Sequence, residues 1–317
     1  MKKLLKTILA SIALTASALS FSACNSNKKT IGIIQFGTHE SLNDCYNGMI
    51  KGLKEELKET FDEYFIDRQN SNFDAASSAA QANTFVSKKA SIIGAIATPS
   101  AMAAASAAKG TIPVIYCAVS DPKAAGLTEM NNVTGSSDLL DFDSQLSLIK
   151  SFIPTVGKIG VLYTLGEANS ISQIETLDSK AKALNIEIVR QSITNASEIP
   201  TATDTLLNKG VDCLTNLTDN TVVGALDVIL SKTNAKKIPV FGSEIDQVKG
   251  GCLASASLDY VALGEKTGTI MAKVLKGEVK ASNDIAIKID DSFNCYSDKV
   301  AKQLDIKVPE IEMRNVD

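Results

Sequence analysis

Six short apolar runs, rich in β-branched residues, punctuate the chain, and each stops in a polar cluster. TIGIIQF (Thr30–Phe36) stops at GTHESLND, SIIGAIA (Ser91–Ala97) at TPS, and IPVIYCAV (Ile112–Val119) at SDP. KIGVLY (Lys158–Tyr163) stops at TLGEANS, VDCLTNL (Val211–Leu217) at TDNT, and IPVFG (Ile238–Gly242) at SEID. Runs that are apolar throughout, rather than alternating, are the mark of parallel strands covered on both faces by helices. Helical spacing follows the first run, at Leu42, Tyr46, Met49, Ile50, Leu53 and Leu57. The fold class is therefore α/β, doubly wound. In such sheets ligands bind outside the carboxyl ends of the strands. The polar clusters should converge there, and their Thr, Ser, Asn, Asp, Glu and Gln side chains suit a small zwitterion better than they suit catalysis.

Two halves are visible, Thr30 to Asp121 and Pro122 to about Gly251, followed by a helix over Asp259–Glu278 and a last strand and helix. Extra elements after two linear halves mean that the chain crosses between lobes more than once. The expected partition is 30–121 plus 257–283 for one lobe and 122–256 plus 284–317 for the other. No low-complexity linker separates two independent domains.

The first residues read as an export signal. Lys2, Lys3 and Lys6 give a basic start, and an apolar stretch to Leu19 is too short for a comfortable span of about 20 residues. Ser22 and Ala23 are small residues placed before Cys24. A bacterial lipoprotein signal at residues 1–23 would leave Cys24 as the first, lipidated residue, with 24–29 as a tether. An ordinary secretory signal with an incidental cysteine is the alternative. A diacylated cysteine supplies two chains, enough for stable anchoring to the outer face of the cell membrane.

The apolar content of 44% over 317 residues supports a large core. Residues 1–23 carry three lysines and no acid, so their removal leaves 29 basic against 36 acidic residues, a net charge of −7. That balance argues against nucleic acid as a partner. Cys45, Cys117, Cys213, Cys252 and Cys295 remain beside Cys24, with no CxxC among them. Cys117 and Cys213 lie inside strand-like runs and read as buried free thiols. A Cys252–Cys295 bridge has no support from spacing. His39 is the single histidine, and no GxSxG, HExxH, Walker A or GxGxxG pattern occurs. GEKTG (Gly264–Gly268) resembles a P-loop fragment but lies inside a helical pattern. The chain reads as a binder without cofactor or metal, not an enzyme.

Each candidate site residue carries a folding reading beside a binding one. Thr98 and Pro99 cap and start a helix; with Ser100 they also offer a helix N-terminus to a carboxylate. Ser120 and Asp121 form a turn before Pro122 or reach the ligand. Glu167, Asn169 and Ser170 open a second-lobe helix and face the first lobe. Asp219, Asn220 and Thr221 do the same after VDCLTNL. Asp219 is the first choice to pair with an α-ammonium, and Glu244 the second, since a desolvated cation needs a carboxylate partner. Gln35, Phe36 and His39 occupy the first loop. Phe36 either offers a ring face to an aromatic ligand or belongs to the core, and His39 reads more simply as a polar loop residue.

The blocks IGIIQF…H, AIATPSA, IPVIYCAVSDPKAAGL, NVTGSSDLL, KIGVLYTLGEANS, TDNTVV, IPVFGSEID and DYVALGEKTGTIMAKVLKGE resemble the ABC-transporter solute-binding proteins of the TrpX type. The similarity runs over nearly all of the chain beyond the signal. It implies a two-lobed, type I periplasmic-binding-protein fold with a three-strand hinge and an aromatic amino acid as ligand. The implied protein is a monomeric, lipid-anchored receptor that delivers that ligand to a membrane permease. Rival functions are a surface adhesin or structural lipoprotein, a sugar receptor and a sensor. The absence of Trp counts against sugar, whose sites favour large aromatic platforms.

Overall fold

The structure is a computed structural model that describes residues 28–288 and 292–317. The signal, Cys24 and most of the tether lie outside the described residues. The first lobe opens with β1 (Lys29–Gln35), α1 (Glu40–Leu57), β2 (Tyr64–Asn70), α2 (Ala75–Ser87), β3 (Ile92–Ile96), α3 (Thr98–Ala108), β4 (Val114–Cys117) and β5 (Val133–Ser137). The second holds α4 (Phe142–Phe152), β6 (Lys158–Thr164), α5 (Ala168–Ala183), β7 (Glu187–Ile193), α6 (Ile199–Asn208), β8 (Cys213–Thr215), α7 (Asn220–Val223), α8 (Leu226–Ala235), β9 (Val240–Phe241), α9 (Ile245–Lys249) and β10 (Ala254–Ser257). The chain then returns to the first lobe for α10 (Tyr260–Leu275) and β11 (Ile287–Lys288). It ends in the second with β12 (Phe293–Tyr296), α11 (Asp298–Leu304) and β13 (Arg314–Asn315).

Two sheets result, ordered β11-β5-β4-β3-β1-β2 and β13-β12-β10-β9-β8-β6-β7. Every pairing in the first is parallel, and in the second only β10 with β12 is antiparallel. All six apolar runs are strands of these sheets. The expected crossing at Asp121 is corrected: β5 pairs with β4 in the first sheet, so the chain crosses only after Ser137. Its sequence VTGSS has no apolar run to betray it. Likewise β11 pairs with β5, so the first lobe extends past residue 283, and Ser257 ends a strand of the second sheet.

Helices cover both faces of each sheet. In the first lobe, Ile31, Ile33 and Ile92 pack against Met49, Leu53, Leu263 and Met271 on one side, and Ile34 and Ile93 against Phe85 and the alanines of α3 on the other. The seam between α1 and α10 is made of glycine. A Cβ on Gly48 or Gly52 would lie 2.1 Å from the carbonyl oxygen of Val261 or Glu265, and one on Gly268 would lie 2.1 Å from that of Met49. Residues four apart share a helix face, and small ones let two backbones meet. The glycines of GEKTG thus serve helix packing. All five described cysteines are buried and free.

Candidate functional site

The strand-end clusters meet between the lobes, around a cavity of about 20 Å³. The first lobe contributes His39, Ser41, Leu42, Thr98, Ala118, Asp138 and Tyr260. The second contributes Asn169, Thr218, Asp219, Asn220, Val223, Ser243, Glu244 and Gln247. Such a volume holds about one water molecule. The lobes are shut on one another: Ser120 Oγ lies 2.7 Å from Thr218 Oγ1, Ser172 Oγ donates to Asp121 at 2.5 Å, and His39 Nε2 lies 3.4 Å from Asn220 Oδ1. An amino acid needs more room, so entry requires the lobes to part. A larger recess of about 740 Å³, lined by Tyr116, Ser120, Asp121 and Phe142 among others, contains none of the site's buried carboxylates.

Backbone geometry prepares the first-lobe wall. Ala97 and Ala118 follow adjacent strands β3 and β4, and both take positive φ, 77° and 56°. Residues with a Cβ seldom hold that conformation, and it clusters at ligand clamps. Here it turns the chain sharply from strand into the first turn of α3, which carries Thr98, and into the loop that carries Ser120.

Four carboxylates are buried here, Asp138, Glu167, Asp219 and Glu244, and none of them takes part in an ion pair among the described residues. They divide by what their oxygens already accept. Asp219 takes the Thr164 amide at 2.6 Å and its hydroxyl at 2.8 Å, the Ser170 hydroxyl at 2.7 Å and the Val222 amide at 2.9 Å. Glu167 accepts from the backbone and side chain of both Asn220 and Thr221, at 2.6–3.0 Å, and from Asn169. Both are saturated, and both clasp the N-terminus of α7. Glu244 accepts the Asp246 and Gln247 amides, one on each oxygen, with the Ser41 hydroxyl beside it. Asp138 accepts only the Ser120 and Tyr260 hydroxyls, again one on each. A carboxylate offers about four acceptor positions, so Glu244 and Asp138 keep capacity for a ligand, one from each lobe.

Burial raises the pKa of all three shifted acids, since the charged form loses its water. Glu244 is pushed up to about 7, with Asp246 adding to the effect. Asp219 also rises to about 7, by burial and then the nearby Glu167, and Asp138 rises by burial. Burial drives His39 down to about 4, so its ring is neutral near neutral pH. Its Nδ1 has no hydrogen-bond partner, and neither have Asn169 Oδ1 and Ser41 Oγ on the same cavity. Nδ1 is an acceptor when Nε2 carries the proton toward Asn220. The cavity is thus rich in unused acceptors, and among the described residues no cationic side chain lines it.

Of the residues picked from sequence, His39, Thr98, Asn169, Asp219, Asn220 and Glu244 line this cavity. Glu167, Ser170 and Thr221 stand behind them as hydrogen-bond partners. Others turn elsewhere. Gln35 accepts from Arg68 at 2.6 Å and donates to the Gly37 carbonyl. Phe36 is in the first-lobe core, edge-on to Phe73. Ser100 faces Ser78 at 3.4 Å, and Pro99 is the first-turn proline of α3. Ser120 and Asp121 join the lobes beside the larger recess. Sequence reasoning missed Asp138, Ser41 and Tyr260. Asp138 had a signal, a polar cluster at a strand's carboxyl end, hidden because β5 itself is polar.

Comparison with known proteins identifies the family. The family described as ABC transporter substrate binding protein matches residues 30–314. A tyrosine-binding protein of Clostridioides difficile (strain R20291) is 38% identical over 298 residues, covering 90% of this chain and 85% of that protein. The structure of an ABC domain from Streptococcus pneumonia in complex with L-Trp superposes with a TM-score of 0.84 at 32% identity, covering 89% of this chain and 96% of that one. The ligand-free, open structure of a substrate-binding protein with adhesive properties from Clostridium difficile gives 0.67 at 34% identity, over 91% and 99%. The better overlap with the liganded structure, despite similar identity, matches lobes in the closed arrangement. The chain belongs to the ABC transporter substrate-binding protein family, on a type I periplasmic-binding-protein fold.

Proposed function

We propose that the protein captures an aromatic L-amino acid, tyrosine foremost, between its lobes. It works outside the cytoplasmic membrane, held there through Cys24, carries out no chemistry on its ligand, and hands it to an ABC permease. One observation carries this reading: a buried cleft presents unsaturated carboxylates from both lobes and, among the described residues, no cationic side chain. An α-ammonium supplies the missing charge and three donors. By touching Asp138 and Glu244 together it binds the closed state better than the open one, and so drives closure. The N-termini of α1 and α3, where amides have no helical partner, favour the ligand's carboxylate. Leu42, Val223 and Tyr260 offer apolar walls to a side chain. The tyrosine- and tryptophan-binding relatives support an aromatic one. This assigns the ammonium to Glu244 and Asp138 in place of Asp219, whose acceptors are filled.

Calorimetric titration with L-tyrosine tests the assignment. Losing one partner of a buried charge pair costs about 3–5 kcal/mol, so Glu244→Gln and Asp138→Asn should each weaken binding at least about a hundredfold. Near-parental affinity in both variants would remove the ammonium from this cleft. The adhesive relative favours a second role at the cell surface, which would survive both substitutions.

A further inference from the structure

Phe73 belongs to the first lobe but leans on the second. It follows β2 in a left-handed stretch, with φ of 50° at Asn72 and 61° at Phe73. Bulky residues rarely adopt that region, and where they do the surroundings must hold them there. The holding contacts are visible: the Phe73 amide donates to the Phe36 carbonyl at 2.7 Å, and the Ser71 amide to that of Gln35 at 2.9 Å. The ring stands edge-on to Phe36, with centroids 6.0 Å apart and planes at 89°. It lies parallel to the His39 ring, 6.4 Å away and 6° from coplanar orientation.

Two glycines make its seat. A Cβ on Gly37, in the first lobe, would lie 2.0 Å from the ring, and one on Gly224, just past α7 in the second, 2.9 Å from its tip. Gly224 has ordinary helical backbone, φ −62° and ψ −14°, so nothing in its conformation demands glycine. The space taken by the ring does. The contact also sits beside the His39–Asn220 link between the lobes.

We propose that Phe73 is a closure latch: its ring, fixed against Phe36 and His39, docks on Gly224 when the lobes shut and slows ligand escape. The strained backbone aims the ring across the gap before closure. Parting the lobes would leave its tip exposed, so docking buries apolar surface only in the closed state. Because His39 lines the cavity, the same ring also holds the imidazole in place. Phe73 is thus a positioning residue that touches no ligand.

The latch goes beyond the proposed amino-acid ligand and rests on it only for a probe. Spin labels at Asn83→Cys and Asn208→Cys, exposed helix positions on opposite lobes, report the interlobe distance in a Cys24→Ser background, since the five described native thiols are buried. With L-tyrosine, Phe73→Ala should dissociate the ligand at least tenfold faster by stopped flow, with the melting temperature of the ligand-free form little changed. Gly224→Val, which fills the seat from the other lobe, should do the same. Combining them should give less than the product of the single effects, because each removes the same contact. The contact is between protein groups alone, so both variants should also deplete closed distances in the ligand-free sample. Single variants within twofold of the parent in dissociation and in closed population, or strictly multiplicative effects, would overturn the latch. A parent that closes but ignores tyrosine would instead overturn the ligand assignment, and the ligand-free distances would still decide the latch.

Discussion

Thr164 donates twice to Asp219, through its backbone amide at 2.6 Å and its hydroxyl at 2.8 Å. With Ser170 and Val222 also donating, this buried carboxylate is a bolt that ties the end of β6 to the starts of α5 and α7. Asp219→Ala would strand these donors, and each buried group left unpaired costs about 1–3 kcal/mol. The variant should melt below the parent, by roughly 5 °C at about 3 kcal/mol in a chain of this size. Glu244→Gln should lower affinity with little loss of stability. Thermal melts of the ligand-free variants separate the two roles; a stable Asp219→Ala protein that fails to bind would return the ammonium to Asp219.

Ligand binding should release a proton at mildly acidic pH. The Glu244 carboxyl is pushed up to about 7 by burial, while an ammonium beside it favours the ionised form. Near pH 6 the free protein holds the proton and the complex does not; near pH 8 both are ionised. Calorimetry in buffers of differing ionisation enthalpy should find close to one proton released at the lower pH and almost none at the higher. Glu244→Gln should abolish the difference.

The same raised pKa has a stability sign. Folded Glu244 holds a proton that the unfolded chain gives up between pH 4.5 and about 7. Its contribution to stability is therefore lost as pH rises through that window. His39 works oppositely: depressed from 6.5 to about 4, it costs stability as pH falls through that range. The clean measurement is parent against Glu244→Gln. The variant should gain on the parent from pH 4.5 to about 7, and the difference should stay constant above.

The interior of the fold was legible because fully covered strands must be apolar. Ile31–Ile34 and Ile92–Ile96 could hardly be anything else. Strands that are polar or lie at a sheet edge left no such mark: β2 reads YFIDRQN and is only partly buried, and β5 and β10 are built of Ser, Ala, Thr, Gly and Val. That is why the sequence points to a crossing at Asp121, whereas the chain crosses after Ser137. The site was legible to the level of the cluster. Glu167, Asp219 and Glu244 all look alike in sequence, each opening a helix, and only the count of filled acceptor positions separates bolts from ligand groups. Asp138 was hidden with its strand.

The glycine seam should be intolerant of any side chain. Gly52 and Gly268 each bring a facing carbonyl within 2.1 Å of where a Cβ would stand, so Gly268→Val forces α10 off α1. Overpacking of a tight core costs typically about 1–3 kcal/mol, and here the obstacle is backbone. Denaturant unfolding should show the first lobe destabilised by at least that much. Calorimetry of any folded fraction should retain tyrosine affinity, since neither glycine touches the cleft.

Anchoring should depend on Cys24, which follows Ser22 and Ala23 after a basic and apolar run. Fractionation of cells expressing Cys24→Ser should recover the protein outside the membrane fraction or as an unprocessed precursor. A variant still correctly cut and membrane-bound would show that another element holds it.

The ligand's side chain gives the last prediction. An aromatic ring buried against Leu42, Val223 and Tyr260 gains several kcal/mol at about 25 cal/mol per Å². Aliphatic amino acids would keep the ammonium and carboxylate contacts and lose part of that burial. The unpartnered acceptors on His39 and Asn169 also offer a place for a phenol hydroxyl as donor, which favours tyrosine over phenylalanine by the cost of leaving such acceptors unmet. A ligand that binds only the folded state raises the melting temperature by mass action. A thermal-shift screen of the twenty amino acids should therefore place Tyr first, then Trp and Phe, with Leu, Ile and Val well below. Branched-chain residues in the lead, or shifts from sugars alone, would overturn the aromatic assignment and leave the receptor fold in place.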